Sequence, residues 1–166
     1  GWDILDGGLG NDTVYGGQDS DIVGGGDGDD IVYGNRDNDS VNGGAGNDTV
    51  YGGENEDLVG GDGGDDIVYG NQGWDMLYGG EGADTLYGGQ NADILAGEDG
   101  ADVIYGNLGN DTLHGSTDQS GEGDESADTL YGGQGDDVVY GNKGNDHLEG
   151  NKGAAVSYTH LRAHET

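Results

Sequence analysis

Several residue types are scarce or missing from this chain of 166 residues, and the scarcities exclude classes of protein. Cysteine is absent, which excludes a disulfide framework and a cysteine-ligated zinc site. Lysine and arginine together number only four, against 35 acidic residues, so the formal charge is −31. Nucleic acid and anionic membranes are therefore poor partners, because both require a basic surface. Proline and phenylalanine are absent, and no apolar run approaches the roughly 18 residues of a membrane span.

Glycine and aspartate are abundant instead, and they are periodic. From Gly7 to His114 the chain repeats every nine residues as G-G-x-G-x-D-x-U-x, where U is aliphatic. Composition alone indicates disorder, but a disordered tract has no reason to place an aliphatic residue at every eighth position. The periodicity therefore predicts a folded repeat protein.

The sixth position of the repeat is always aspartate. A carboxylate held in one register beside glycine-rich turns is typical of a site for a hard cation with oxygen ligands, so the pattern predicts bound Ca²⁺. The candidate metal ligands are Asp3, Asp12, Asp21, Asp30, Asp39, Asp48, Asp57, Asp66, Asp75, Asp84, Asp93, Asp102, Asp111, Asp128, Asp137 and Asp146.

Each repeat predicts a turn followed by a strand of about three residues, x-U-x, whose middle side chain points inward. Glycine at positions one, two and four is expected to supply the positive φ of a tight turn. Strands this short cannot stand alone, so successive coils must stack into two facing parallel sheets. The predicted fold class is all-β: a parallel β-roll, or right-handed β-solenoid, with two nonapeptides per coil, short strands and a thin aliphatic core.

Tyrosine supports two repeats per coil, because it recurs at position nine of every second repeat. These residues should lie on one side of the coil, where tyrosine stacks well on its cross-strand neighbours. A flat adhesive or glycan-binding face is the alternative interpretation. The ladder comprises Tyr15, Tyr33, Tyr51, Tyr69, Tyr87, Tyr105 and Tyr131.

Stacked coils would also place the aspartates in two rows of eight. Neighbouring coils lie about 4.8 Å apart, so adjacent carboxylates repel by on the order of 3 kcal/mol at an effective dielectric of about 20. Calcium between coils can bridge two carboxylates, while turn carbonyls complete its coordination. About seven gaps per row give an upper bound of about fourteen ions. Metal binding and folding should be one event, with disorder confined to the calcium-free chain.

The repeats resemble a known family. The segments GGLGNDTVY (7–15), GGAGNDTVY (43–51) and GGQGDDVVY (132–140) closely resemble the haemolysin-type, or RTX, calcium-binding nonapeptide, and the resemblance covers residues 1–153. It implies a β-roll with calcium in the turns, type I secretion and folding outside the cell. It also implies that the sixth-position aspartates are side-chain ligands and that positions one to five donate backbone oxygens.

The chain departs from the family pattern at two turn positions. At position two the substitutions are mild, because asparagine and aspartate tolerate left-handed turns: Asn35, Asp62, Asn71, Glu98, Asn107 and Asn142. At position four, four of the five substitutions fall in even-numbered repeats, which predicts weaker or missing sites along one row. The position-four residues are Asp19, Asp37, Asn55, Asn91 and Ser126.

The sequence divides into an array, residues 1–153, with a polar insertion at 115–122, and a tail, residues 154–166. From Val156 onward the tail contains no glycine or aspartate. It is typical of a translated sequencing adapter, and a short natural tail is the alternative. The array begins inside a repeat, so we expect a piece of a larger secreted bacterial protein.

The predicted function is that of a calcium-binding module that folds outside the cell. No G-x-S-x-G or H-E-x-x-H motif occurs, so we predict no enzyme activity in this chain. Two alternatives stay open: a carrier module for a secreted hydrolase or toxin, and the adhesive face of an adhesin with a cell-surface or glycan target. Trp2 and Trp74 share the fifth turn position on one row and are candidates for an exposed contact.

Overall fold

The computed structural model describes residues 1–116, 125–154 and 156–159, and within these residues every regular element is a strand. No described helix could cross a membrane. The strands are β1 (Ile4–Leu9), β2 (Thr13–Gly17), β3 (Ile22–Asp27), β4 (Ile31–Arg36), β5 (Ser40–Ala45), β6 (Thr49–Glu54), β7 (Leu58–Gly63), β8 (Ile67–Gln72), β9 (Met76–Glu81), β10 (Thr85–Gln90), β11 (Ile94–Asp99), β12 (Val103–Leu108), β13 (Thr112–His114), β14 (Thr129–Gln134), β15 (Val138–Asn142), β16 (His147–Glu149) and β17 (Val156–Thr159).

Odd-numbered and even-numbered strands form two separate sheets of nine and eight strands. Every pairing is parallel and joins a strand to the one a coil later: Val14 pairs with Val32, and Val32 with Val50. One coil therefore contains two nonapeptides, and the chain crosses from one sheet to the other at each turn. The predicted parallel β-roll is confirmed.

The aliphatic position of the repeat fills the space between the sheets. These side chains are 0–2% exposed from Val23 to Val139, and Leu5, Val14 and Leu148 pack against them at the two ends of the stack. Because each strand contributes one such side chain, the core is thin, and each coil depends on its neighbours for burial.

The insertion leaves the stack in register. Ile104 pairs with Leu130 across it. Gly115 takes the place of a first turn glycine, because its amide donates to the carbonyl of Tyr140 and its carbonyl accepts from the amide of Glu98. Residues 117–122 of the predicted insertion lie outside the described residues.

The strands are longer than predicted, with six residues in most repeats. Pairing continues past x-U-x into the next turn, so that Gly8 pairs with Gly26 and Leu9 with Asp27. Glycine adds no side chain to obstruct the neighbouring strand, and the backbone ladder therefore extends through positions one to three.

Glycine is required at position one for a different reason than predicted. Positive φ occurs at positions two and four, as at Gly8 (97°) and Gly10 (101°), but not at Gly7. A Cβ built on Gly88, at position one, would lie 2.8 Å from the carbonyl oxygen of Gly106 on the next coil. Close approach between coils therefore excludes a side chain there. The non-glycine residues at position two keep positive φ, 63–85°, as predicted.

The odd-numbered sheet continues beyond residue 153. The backbone of Val156–Thr159 pairs with β15, with a register irregularity between Tyr140 and Asn142. Residue 155 and residues 160–166 lie outside the described residues, and the origin of the tail stays a prediction.

Candidate metal sites at the turn edges

The sixth-position aspartates form the two predicted rows of eight, one along each turn edge of the stack. The amide of each aspartate donates to Oδ1 of the aspartate one coil later, over 2.7–3.1 Å, with seven such links in each row. We call the two edges the Asx edge and the glycine edge, after their fourth-position residues. The Asx edge carries Asp3, Asp21, Asp39, Asp57, Asp75, Asp93, Asp111 and Asp137. The glycine edge carries Asp12, Asp30, Asp48, Asp66, Asp84, Asp102, Asp128 and Asp146.

The carboxylates are buried inside the turn edges, whereas the sequence predicted only that they lie in the turns. From Asp21 to Asp137 every one is 4% exposed or less, and only Asp3, Asp12 and Asp146 at the ends of the stack are more exposed. Positions six and eight lie two residues apart in extended chain, so their side chains point to the same side. That spacing was the signal in the sequence for burial of the aspartates.

One oxygen of nearly every carboxylate has no partner among the described residues. An ionised oxygen buried without a hydrogen bond is costly, so these atoms require a proton or a cation. The atoms without a hydrogen-bond partner are Oδ2 of Asp12, Asp21, Asp30, Asp39, Asp48, Asp57, Asp66, Asp75, Asp84, Asp93, Asp111 and Asp137.

Position one brings a backbone carbonyl close to each unpartnered oxygen. A Cβ built on Gly88 would lie 2.7 Å from Oδ2 of Asp93 and 2.8 Å from the carbonyl oxygen of Gly106, so both oxygens face the space that a side chain would fill. Carboxylate and carbonyl oxygens are the ligands that Ca²⁺ prefers. The donor set therefore fits calcium.

Burial raises the pKa of several of these carboxyls. It raises the pKa of Asp57 and Asp66 to about 7 and that of Asp93 to about 8, against the lowering effect of the amide hydrogen bond from the preceding coil. Neighbouring carboxylates raise these pKa values further. Burial also raises the pKa to about 6 at Asp75, Asp84 and Asp111.

The sites are not clusters of acidic or histidine side chains. Within residues 1–116, 125–154 and 156–159, no three His, Cys, Asp or Glu side chains converge on a point that could hold a metal ion. Each coil contributes a single buried carboxylate to an edge, so the remaining oxygens of a site must come from the backbone.

The two edges differ at position four. On the glycine edge, the amides of Gly10, Gly28, Gly46, Gly64 and Gly82 donate to the third-position carbonyl of the next coil over 2.7–2.8 Å. On the Asx edge, the described residues show no such bond from Asp19, Asp37, Asn55 or Asn91. The bond returns where glycine returns, as from Gly109 to Gln134 at 2.9 Å. The residue at position four therefore decides whether this part of the turn is bonded between coils.

The Cβ atom explains the difference. Built on Gly28, a Cβ would lie 2.6 Å from the carbonyl oxygen of Gly10 on the preceding coil. Residues with a Cβ adopt another turn: φ is 68–81° at Asp19, Asp37, Asn55 and Asn91, against 101–134° at the position-four glycines of the other edge. The amide then makes no bond to the third-position carbonyl of the next coil. Asp19, for example, donates to Oδ2 of Asp37 over 3.2 Å.

Position five adds a second ladder to the glycine edge. Oδ1 of Asn11 accepts from the amide of Asp29, Asn47 donates its amide to Asp29, and Asn47 in turn accepts from Asp65, over 3.0–3.2 Å. On the Asx edge the same contact occurs only near the C-terminus of the array, where Asp136 donates to Asn110. From Gly10 to Ala83 the glycine edge is thus bonded between coils at three positions, whereas the turns of Asp37, Asn55 and Asn91 on the Asx edge show only the aspartate link to the next coil among the described residues.

Comparison with known proteins agrees with this geometry. The model of the RTX calcium-binding nonapeptide repeat matches the chain at residues 1–32, 24–59, 55–86, 87–119 and 122–155. The chain therefore belongs to the RTX calcium-binding nonapeptide repeat family, and it is a calcium-binding repeat module. No curated protein is significantly similar to it in sequence.

Proposed function

We propose that the sixth-position aspartates bind calcium ions between successive coils and that this binding folds the chain. The observation that carries the proposal is the pair of rows of buried Oδ2 atoms that no described donor reaches. Fourteen successive aspartate pairs give an upper bound of about fourteen ions, whose charge of about +28 would nearly cancel −31.

Each part of the repeat has a role in holding an oxygen toward the ion. The amide of Asp48 fixes Oδ1 of Asp66 at 2.7 Å, which leaves Oδ2 free for the ligand. Glycine at position one keeps the space beside Oδ2 open and lines it with a carbonyl oxygen. Bound calcium supplies the positive charge that the buried carboxylates lack. Without it, the same residues must hold protons or repel one another.

Circular dichroism during a calcium titration tests the proposal. In chelator at neutral pH we expect a disordered spectrum, and millimolar calcium should produce cooperative β-structure. Magnesium at the same concentration is the control, because it requires near-ideal octahedral geometry and gives up its water reluctantly. Unchanged spectra in calcium would contradict the proposal.

We also propose that the module is secreted, with type I secretion machinery as a partner, and that any catalytic domain of the parent protein lies outside this chain. Extracellular calcium modules bind with a Kd of about 10⁻⁴–10⁻³ M, and we expect half-saturation in that range. Folding at submicromolar calcium would contradict extracellular folding, because the chain would then fold before export.

The tyrosine ladder supports the stack more than an adhesive face. Consecutive rings from Tyr15 to Tyr131 lie 4.7–5.0 Å apart with interplanar angles of 2–8°, so each inner ring has both faces covered by its neighbours. Only ring edges and hydroxyls remain for a ligand. Stacking on a sugar ring needs an open aromatic face, which this ladder does not provide.

A further inference from the structure

The Asx edge carries a groove that the aspartate row does not use. It has a volume of about 590 Å³ and runs over the turns of four successive coils, from Asn38 to Ala92. Trp74 lines it, is 47% exposed and stacks on no aromatic ring of the described residues. An indole this exposed on a strongly acidic chain is not explained by the core.

The sequence of the edge accounts for the groove. Gly73 lies at position four between Asn55 and Asn91, one coil away on either side, and leaves a notch between their side chains. Ala92 follows Trp74 at position five of the next coil, and its short side chain leaves room beside the indole. The position-four bond between coils is absent at Asn55 and Asn91, on either side of Gly73.

The groove offers polar groups as well as the indole. The side chains of Asn38, Asn55 and Asn91 line it, and each provides two donors and an acceptor. The backbone amides of Asn55 and Asn91 make no bond to the next coil in the described residues. Glu56 adds a carboxylate acceptor. An aromatic wall with several amides suits a ligand that has an apolar face and a rim of hydroxyls.

We propose that this groove binds a neutral saccharide, with one sugar ring against the indole of Trp74 and its hydroxyls bonded to the asparagine amides. Aromatic surface provides most of the contact energy in such pockets, and a few placed polar groups fix orientation. Acidic glycans are disfavoured because the carboxylate of Glu56 lies in the lining of the groove. The site requires the calcium-loaded stack and so rests on the proposed function.

The test uses the full chain in millimolar calcium on an array of neutral and acidic oligosaccharides. The best neutral oligosaccharide is then titrated against a Trp2→Phe variant, in which Trp74 is the sole reporter of tryptophan fluorescence. Isothermal titration calorimetry, which needs no tryptophan, compares the variants, and we expect binding to weaken roughly tenfold or more in Trp74→Ala. Trp2→Ala, the same residue type at the same position of the row, should bind like the parent chain.

A second variant removes the groove but keeps the indole. Gly73→Asn places at position four a residue that Asn55 and Asn91 already carry there. A Cβ on Gly73 would meet the carbonyl oxygen of Asn55, so the turn must take the lower φ of its neighbours and lose some stability. In saturating calcium the variant should lose binding while keeping the calcium-induced circular dichroism. That spectrum, recorded on every variant, separates failure of the site from failure of folding. Three results would overturn the proposal: folded chain that binds no neutral oligosaccharide, folded chain that prefers acidic ones, and Trp74→Ala that binds as well as the parent chain.

Discussion

The two turn edges present the same row of buried aspartates but hold their coils together differently. On the glycine edge, position four donates a backbone bond to the next coil and position five adds an Asn/Asp ladder. On the Asx edge, the described residues show neither contact at Asp37, Asn55 and Asn91, and a groove lies over these turns. The difference comes from one Cβ atom at position four. With glycine there, backbone bonds join adjacent coils, and with Asp or Asn the coils are held mainly by the row of aspartates.

Acidification should have the largest effect, and it tests what the edges share. The ordinary pKa of aspartate is 3.8, and burial raises it to about 7 at Asp66 on the glycine edge and about 8 at Asp93 on the Asx edge. The folded metal-free chain therefore binds more protons than the unfolded chain at intermediate pH. Its stability should be full below the ordinary pKa and be lost as pH rises through the raised values.

Circular dichroism in chelator measures this effect. We expect β-structure in the metal-free chain at acid pH and its loss as the solution is brought to neutrality, whereas calcium should preserve it at neutral pH. A metal-free chain that stays disordered in acid, or folded at neutral pH, would contradict the role assigned to the buried carboxylates.

Removing one carboxylate should have the next largest effect and should differ between the edges. We expect Asp66→Asn on the glycine edge to lower the free energy of unfolding in saturating calcium by about 3 kcal/mol, the usual cost of breaking a buried charge pair. Asp57→Asn on the Asx edge should cost less, because its turn is less constrained. Urea unfolding measures both, and calorimetry counts the ions. The exposed Asp27→Asn is the control, and equal losses at both edges would contradict the comparison.

Exchanging the fourth-position residues tests the cause of the difference. Gly28→Asn should lose the bond to Ala45 and destabilise the chain by about 1–2 kcal/mol, from a lost hydrogen bond and a strained turn. Asn55→Gly should be nearly neutral, because the regained bond is offset by about 0.5–1 kcal/mol of backbone entropy. Urea unfolding in calcium compares the pair. If the two substitutions cost the same, the Cβ is not the cause.

The fifth-position ladder should contribute least. Asn47→Ala removes an acceptor for the amide of Asp65, at 3.1 Å, and should cost about 0.5–1.5 kcal/mol. Asn38→Ala, at the same position of the Asx edge, removes no hydrogen bond that the described residues show. It should leave the midpoint of urea unfolding unchanged. Matched urea curves in calcium decide between them.

The repetitive features were predictable because each follows from spacing alone. The nine-residue register placed Val32 and Val50 in the core, and the recurrence of tyrosine at Tyr33 and Tyr51 gave two repeats per coil. The two rows of aspartates follow from the same arithmetic. The aspartate register also predicted calcium and the family resemblance implied it, and the buried oxygens without a hydrogen-bond partner support it.

Contacts between coils were less predictable, because they depend on distances that the spacing does not determine. The sequence shows Asn55 in place of glycine. It does not show that, at a φ of 81°, the amide of Asn55 makes no bond to the third-position carbonyl of the next coil. It shows glycine at position one, but not the carbonyl that would meet a Cβ there. The groove beside Trp74 lies over turns that carry Asn55 and Asn91 at position four and so could not be located from sequence.

Side chains on the glycine edge reach in both directions along the stack. Oδ1 of Asn47 takes the amide of the coil ahead, at Asp65, while Oδ1 of Asp66 takes the amide of the coil behind, at Asp48. Hydrogen bonds that run in opposite directions along the stack resist the sliding of neighbouring coils in either direction. Under tension applied to its two ends, the roll should therefore separate first along the Asx edge.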